Sequence, residues 1–289
     1  MKGLRSAVPI LPLQSGVLDH VPHAFSTRPG GVSVATPAAD FSSLNFGNPG
    51  ELTEHRDPPG NIARNFELLA GAIGGRGREI VQVHQVHGAG VHVVRRGERA
   101  HPTAHDTKAD AVVTDDPARL LAVRVADCCP ILLASGDGSV VGAVHAGWRG
   151  VVCENGSGAG TATEAGTGRW GVLAPVVASM RSLGAGSIRA AIGPCISAAS
   201  FEVGPEVLEA FGAVFGSGCE RRGLVRVGDG GKGFVNLQAC LRVQLEALGV
   251  EVIDTVARCT VAEPELFFSH RRERGRTGRM VGMIGPAAR

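Results

Sequence analysis

The chain has 289 residues, 44% of them hydrophobic, with 29 basic and 27 acidic side chains and a formal net charge of +2. That length suits one large domain, expected over 1–289, and the near-neutral balance excludes the strong field that nucleic-acid or anionic-membrane partners require. No apolar run approaches the roughly 20 residues needed to span a bilayer.

Aromatics are only 4% and Tyr is absent, so the core must come from Val, Leu, Ala and Ile, and little is left for base-stacking platforms. The seven cysteines are odd in number and irregularly spaced, unlike a secreted disulfide scaffold. The first residues lack the continuous apolar stretch of a signal peptide. These features lead us to expect a cytoplasmic protein, monomeric or homodimeric.

The predicted elements run as follows. Ile62, Phe66, Leu69 and Ile73 recur at helical steps after Pro59-Gly60. Strand-like segments follow at 80–86, 91–94, 111–114, 120–125, 131–134 and 140–144. A helix is expected to begin after HAGWRG at 145–150, but 154–168 is rich in Gly, Thr, Ala and Ser and reads as a flexible insertion. Val172, Val176, Val177 and Met180 form a helical stripe ended by Gly184, and a strand follows at 188–192. Val207, Leu208, Phe211, Val214 and Phe215 form another stripe, with Pro205 suited to its first turn. Leu237, Leu241, Leu245 and Leu248 stop at Gly249, before a strand at 250–256. Helices and strands mix without regular alternation, which predicts an α+β fold: mixed β-sheets with helices packed outside.

Three of these segments end in residues that can bind a metal. In VQVHQVHG, alternation puts His84 and His87 on opposite faces, with His87 last before a glycine. In VADCCP, Pro130 cannot donate to a ladder, so a break is expected, and at most one of Cys128 and Cys129 can reach a given site. In VVGAVHAGWRG, His145 ends an apolar strand, small residues leave room beside it, and Trp148 and Arg149 offer a flat surface and a donor fork. Taken singly, each segment is equally consistent with a polar residue on a sheet, an inert buried thiol or a surface arginine. Together, His87, Cys128 and His145 make the three-ligand set that leaves zinc an open position. Such a site lowers the pKa of bound water to about 7 or polarises a substrate oxygen.

The motifs QVHG (85–88), ADC-x-P (126–130) and HAGWRG (145–150) resemble the signature of the family once called laccase-domain or multicopper polyphenol oxidase proteins. FSTRPGGVS (25–33), SLNFG (43–47), AIGPCI (191–196), FEVG (201–204), FFSHRR (267–272) and TGRM (277–280) extend the resemblance over most of the chain. It implies a zinc-dependent purine nucleoside phosphorylase acting on purine nucleosides and phosphate, with adenosine deaminase activity. The family's metal ligands fall on His87, Cys128 and His145, and its C-terminal arginine on Arg272. We expect Arg272 to hold phosphate with help from Arg28 or Arg149, and Asn45 and Gln85 to contact substrate. Asp127 is either a proton shuttle or a residue that shapes the turn and supports the ligands. Phe201 and His270 stand where Tyr is usual, and Asn236 where Asp is common. The alternatives are copper-dependent phenol oxidation, which needs more ligands and a nearby Met, and a zinc-stabilised binding module without turnover.

Overall fold

The longest apolar runs of the chain become strands buried on both faces. In a computed structural model, residues 9–98, 107–153 and 171–288 are described. The insertion expected at 154–168 lies outside them.

The elements in chain order are β1 (His23–Phe25), α1 (Pro59–Ala72), β2 (Glu79–Val81), β3 (Val91–Val94), β4 (Ala111–Thr114), β5 (Arg119–Val125) and β6 (Cys129–Ser135). There follow β7 (Val141–Ala146), α2 (Trp148–Val152), α3 (Leu173–Ser182), β8 (Ile188–Ile192), β9 (Glu202–Val203) and α4 (Pro205–Phe215). The last are β10 (Val225–Val227), β11 (Gly233–Val235), α5 (Leu237–Ala247), β12 (Val252–Thr255) and β13 (Met280–Ile284).

A six-stranded sheet has the order β12-β8-β6-β7-β4-β3, and a four-stranded sheet the order β1-β13-β5-β2. Both are mixed: β12 with β8, β3 with β4, and β2 with β5 are parallel, and the other pairs are antiparallel. A small antiparallel sheet, β10-β11-β9, stands apart.

The two large sheets pack face to face. Leu121 and Val123 of β5 and Ile284 of β13 meet Leu132 and Ala134 of β6 and Val141 and Ala143 of β7. The alternate residues Ile131, Leu133 and Val144 point the other way, into a core closed by α2, α3, α4 and α5. On the far side, Leu120, Ala122, Val281 and Met283 bury the Phe66–Leu69 face of α1. The result is a layered α+β fold with helices on both outer faces. Strands sandwiched in this way read as continuous apolar runs, because neither face meets water.

Helix limits follow local chemistry. The Asn236 side chain accepts from the Ala239 N–H at 3.1 Å and so caps α5, the job an Asp would do there. Gly216 closes α4 with a φ of 78°, a conformation that costs glycine little.

The register sets the position of the site. Met280 pairs with Val125, Cys129 with Ala146, and Ala111 with Val144. The ends of β5 and β7 and the starts of β4, β6 and β13 therefore gather at one edge of the two sheets. Two details differ from the sequence expectation. The strand read at 80–86 ends at Val81, and beyond it His84 makes only an isolated bridge to Lys108. The break between β5 and β6 covers residues 126–128, and Pro130 lies inside β6 opposite His145.

Candidate metal centre and its cavity

Three side chains converge at this edge: His145 from the end of β7, Cys128 from the break between β5 and β6, and His87 from the loop between β2 and β3. One ligand atom each from His87, Cys128 and His145 lies within 4.8 Å of the others, and among the described residues the group ends at three. The imidazoles of His87 and His145 meet edge to face, with centroids 4.8 Å apart at 84°.

Local backbone explains the convergence. His87 has a φ of 60°, in the left-handed region, which bends the loop between β2 and β3 at that residue. Asp127 has a φ of 83° and does the same for the break before Cys128. Gly147 supplies the room: a Cβ there would stand 3.0 Å from Cys128 Sγ and 3.1 Å from a ring carbon of His87. Of the two adjacent thiols only Cys128 enters the group. Cys129 turns into the helix-side core, with its Sγ 3.6 Å from the Gly193 carbonyl oxygen. His84 lines the same cavity but is not part of the triad.

Asp110 organises the set, and sequence reasoning did not single it out. It is fully buried just before β4. Its Oδ1 receives His145 Nδ1 at 2.8 Å and the His87 N–H at 2.9 Å, and its Oδ2 receives the Gly88 N–H at 2.6 Å. One carboxylate thus holds both histidine segments and leaves His145 Nε2 to face the group. Burial raises the Asp110 pKa, but the His145 imidazole and the two amides outweigh it and hold it below the usual carboxylate value.

The thiol and its neighbour polarise each other. Burial pushes Cys128 up, yet the two imidazoles bring it down to about 6. Burial pushes His145 down, yet Cys128 and Asp110 raise it to about 9. Without a metal, the pair is thereby held as thiolate and imidazolium, the charge pattern a divalent cation would replace.

The triad opens into a cavity of about 1070 Å³. Its lining includes the apolar Ile196, Phe201, Leu237 and Trp148 and the basic Arg124, Arg279, Arg271 and Arg149. The Arg149 guanidinium lies over the Trp148 ring, 4.5 Å from its centroid, and Arg271 lies over Phe201. His270 also lines it.

The other residues singled out from sequence fall into two groups. Gln85, Arg149 and Asp127 are on the cavity wall. Gln85 imitates a strand: its amide donates to the Arg124 carbonyl at 2.8 Å and its Oε1 accepts the Arg124 N–H at 2.9 Å. Asp127 accepts from Thr260 Oγ1 at 2.5 Å, Ser269 Oγ at 3.1 Å and the Arg271 N–H at 2.6 Å, fastening the C-terminal loop to the strand break.

Arg28, Asn45 and Arg272 are not on that wall. Arg28 binds the Ser42 and Pro264 carbonyls and the Asp40 carboxylate. Asn45 is buried, donates to Asp57 and accepts the N–H groups of Gly47 and Arg279. Arg272 spends its guanidinium on the carbonyls of Thr260, Val261 and Phe267 and on Glu273. The residues that take their place on the basic side, Arg124 and Arg279, lie outside the ligand-bearing motif ends and become neighbours only through the β5–β13 register.

Comparison with known proteins agrees with this architecture. A purine nucleoside phosphorylase of Deinococcus radiodurans is 36% identical over 280 residues, covering 96% of this chain and 94% of that one. The Escherichia coli purine nucleoside phosphorylase YfiH is 35% identical over 259 residues, covering 90% and 91%. The crystal structure of the Neisseria meningitidis protein NMB0706 matches with a TM-score of 0.75 at 30% identity, covering 96% of this chain and 99% of that one. That of a Bacillus licheniformis hypothetical protein, YfiH, matches at 0.77 and 27%, covering 98% of each. The family model described as multi-copper polyphenol oxidoreductase laccase matches residues 22–287. On the strength of that near-complete match and of relatives more than 30% identical over most of its length, the chain belongs to this laccase-domain family.

Proposed function

We propose that the protein is a zinc-dependent purine nucleoside phosphorylase, cleaving adenosine, inosine, guanosine or methylthioadenosine with phosphate to give the free base and a ribose 1-phosphate. The observation that carries this reading is the triad of two imidazoles and a thiol converging on an open cavity. The names of the relatives point the same way.

The donor set fits the metal. Two nitrogens and one sulfur, from the end of β7, the β2–β3 loop and the β5–β6 break, with one imidazole backed by the Asp110 carboxylate, match a three-ligand zinc site with its supporting carboxylate. When bound, such a cation supplies a Lewis acid to the reactants. The chain's own residues do the rest. Trp148, Phe201, Ile196 and Leu237 offer apolar surface for a flat purine, and the arginines that line the same cavity draw an anion into it. Phosphorolysis forms a bond from a phosphate oxygen to C1′ while the C1′–N bond breaks and its electron pair leaves with the base.

An adenosine deaminase activity belongs to the same proposal. Asp127 is engaged by three donors, so we assign it to positioning the C-terminal loop rather than to carrying protons. Copper-based phenol oxidation is less well supported by the side chains. Among the described residues there is one metal-binding group; Met180 and Met283 are buried in other cores, and Met280, in the small core that Cys128 packs against, spends its sulfur on the Phe268 N–H at 3.0 Å.

The test is metal analysis of the purified protein, then a nucleoside panel with and without phosphate. Base release that requires phosphate, from a protein carrying one zinc per chain, is the expected result. A fully metal-loaded protein that releases no base from any purine nucleoside would overturn the proposal.

A further inference from the structure

Among the described residues, none of the five arginines that line the cavity has a carboxylate partner; Arg56, Arg149 and Arg271 are exposed, and the other two, Arg124 and Arg279, are half-buried. Arg124, on β5, and Arg279, just before β13, share the α1 side of the four-stranded sheet because Arg124 pairs with Val281. Both are half-buried and both line the cavity. They also flank one glycine. A Cβ on Gly47 would stand 3.3 Å from Arg124 Cδ, 3.6 Å from Arg124 Nη1 and 3.5 Å from Arg279 Cγ.

Their hydrogen bonds leave donors over. Arg124 Nη2 reaches the Val83 carbonyl at a long 3.5 Å. Arg279 Nη1 donates to the carbonyls of Thr277 and Gly278 at 2.9 and 3.0 Å. Among the described residues, Arg124 Nε and Nη1 and Arg279 Nε and Nη2 meet no acceptor, and neither arginine has an ion pair. The charges that act on Arg279 are exposed Glu51, Cys128 and Asp127, which puts it in the electrostatic reach of the metal triad. Asp127 is already committed to three donors, as described above. Burial lowers the pKa of both; the charge of Arg279 adds to this for Arg124, while Glu51, Cys128 and Asp127 offset part of it for Arg279.

Two half-buried guanidinium groups close enough to act on each other, with donors unspent beside a residue that has no side chain, suit an oxyanion, which can accept from both. We infer that Arg124 and Arg279 form the phosphate subsite of the cavity, taking free inorganic phosphate as the co-substrate. This rests on the phosphorylase reading for the role of the anion, but not for its binding.

The experiment uses the zinc-loaded full chain and inorganic phosphate alone, measured by titration calorimetry, with Arg279→Gln, Arg124→Gln and the conservative Arg279→Lys. Metal content and melting temperature are recorded for each. The expected result is one phosphate per chain in the wild type, binding weakened tenfold or more in both Gln variants, partial recovery in Arg279→Lys, and unchanged zinc. Absence of phosphate binding by the wild type, or wild-type affinity in both folded Gln variants, overturns the subsite.

A parallel titration with a nucleoside 5′-monophosphate separates the two sources of the anion. Binding far tighter than phosphate and dependent on Arg279 would assign the site to a phosphate ester and overturn the co-substrate role. The two readings fail separately. Phosphate binding lost with the arginines, in a protein that cleaves no nucleoside, sinks the phosphorylase proposal and leaves the subsite. Phosphorolysis whose phosphate KM is untouched in both Gln variants does the reverse.

Discussion

Asp110 and His145 are joined by a 2.8 Å hydrogen bond although 35 residues separate them, and the same carboxylate receives the backbone N–H of His87. The carboxylate therefore sets the tautomer of one histidine and the place of the other. Asp110→Asn keeps the size but not the symmetry: one side of the amide can still accept, and the other turns an N–H toward donors. Metal affinity should fall about 10–100-fold, as losses of such supporting groups do. The metal-free protein should lose about 1–3 kcal/mol from the buried mismatch. Competition against a chelator and denaturant melts measure the two separately, and an unchanged metal affinity would show that Asp110 does not support the site.

Gly147 tests the room the site needs. An alanine Cβ would crowd Cys128 Sγ and His87 at 3.0 and 3.1 Å, whereas its backbone angles are open to any residue. The neighbours that must give way are side-chain ends, so the fold should survive. Gly147→Ala is expected to keep its melting temperature without metal within a few degrees and to bind zinc at least tenfold more weakly. Full zinc occupancy at wild-type affinity would mean the triad tolerates the displacement.

The pairing of Cys128 with the imidazoles has a pH signature. Burial alone would raise its pKa; His145 and His87 bring it to about 6. A lowered pKa means thiolate above that pH and thiol below it. In chelator-treated protein, alkylation of Cys128 should therefore rise through a midpoint near 6, read by peptide mass spectrometry because six other cysteines are present. His145→Gln should move the midpoint upward, toward the ordinary thiol value of about 8.5. A midpoint unaffected by that change would mean the imidazole does not govern the thiol.

Much of this was readable in the chain itself. Strands β5 to β8 are apolar on both faces and so stand out as runs, and α1, α3, α4 and α5 carry apolar stripes, with proline opening α1 and α4. The triad was legible because Cys128 and His145 follow or end such runs and His87 ends an alternating stretch before a glycine. The strand expected at 80–86 was overextended: its alternation is real, but past Val81 the partner strand's backbone is met by the Gln85 side chain instead of a ladder. Strands β1, β2 and β9 to β11 have only two or three residues, too few for a period. Strand β13, short and flanked by glycines, escaped notice beside the basic run before it. Asp110, Arg124 and Arg279 were hidden for another reason: each matters through a partner that only sheet register brings near, and no local pattern announces that.

The last prediction concerns Arg272, which the family resemblance assigns to substrate or phosphate. Its guanidinium donates to the Thr260 carbonyl at 2.6 Å, Val261 at 3.1 Å and Phe267 at 2.7 Å, and also pairs with Glu273. These bonds fold the segment around residues 260–273 onto itself, close to where Asp127 receives Thr260, Ser269 and Arg271. Removing the side chain strips three carbonyls of a charged donor. Half-exposed groups recover part of that loss from water, so Arg272→Ala should cost about 2–3 kcal/mol of stability. If its part is structural, the phosphate KM of the folded fraction should stay within about threefold of wild type, while that of Arg279→Gln rises tenfold or more. The reverse order, with a stable Arg272→Ala protein that has lost its response to phosphate, would return the anion to Arg272 and require the C-terminal loop to rearrange when substrate binds.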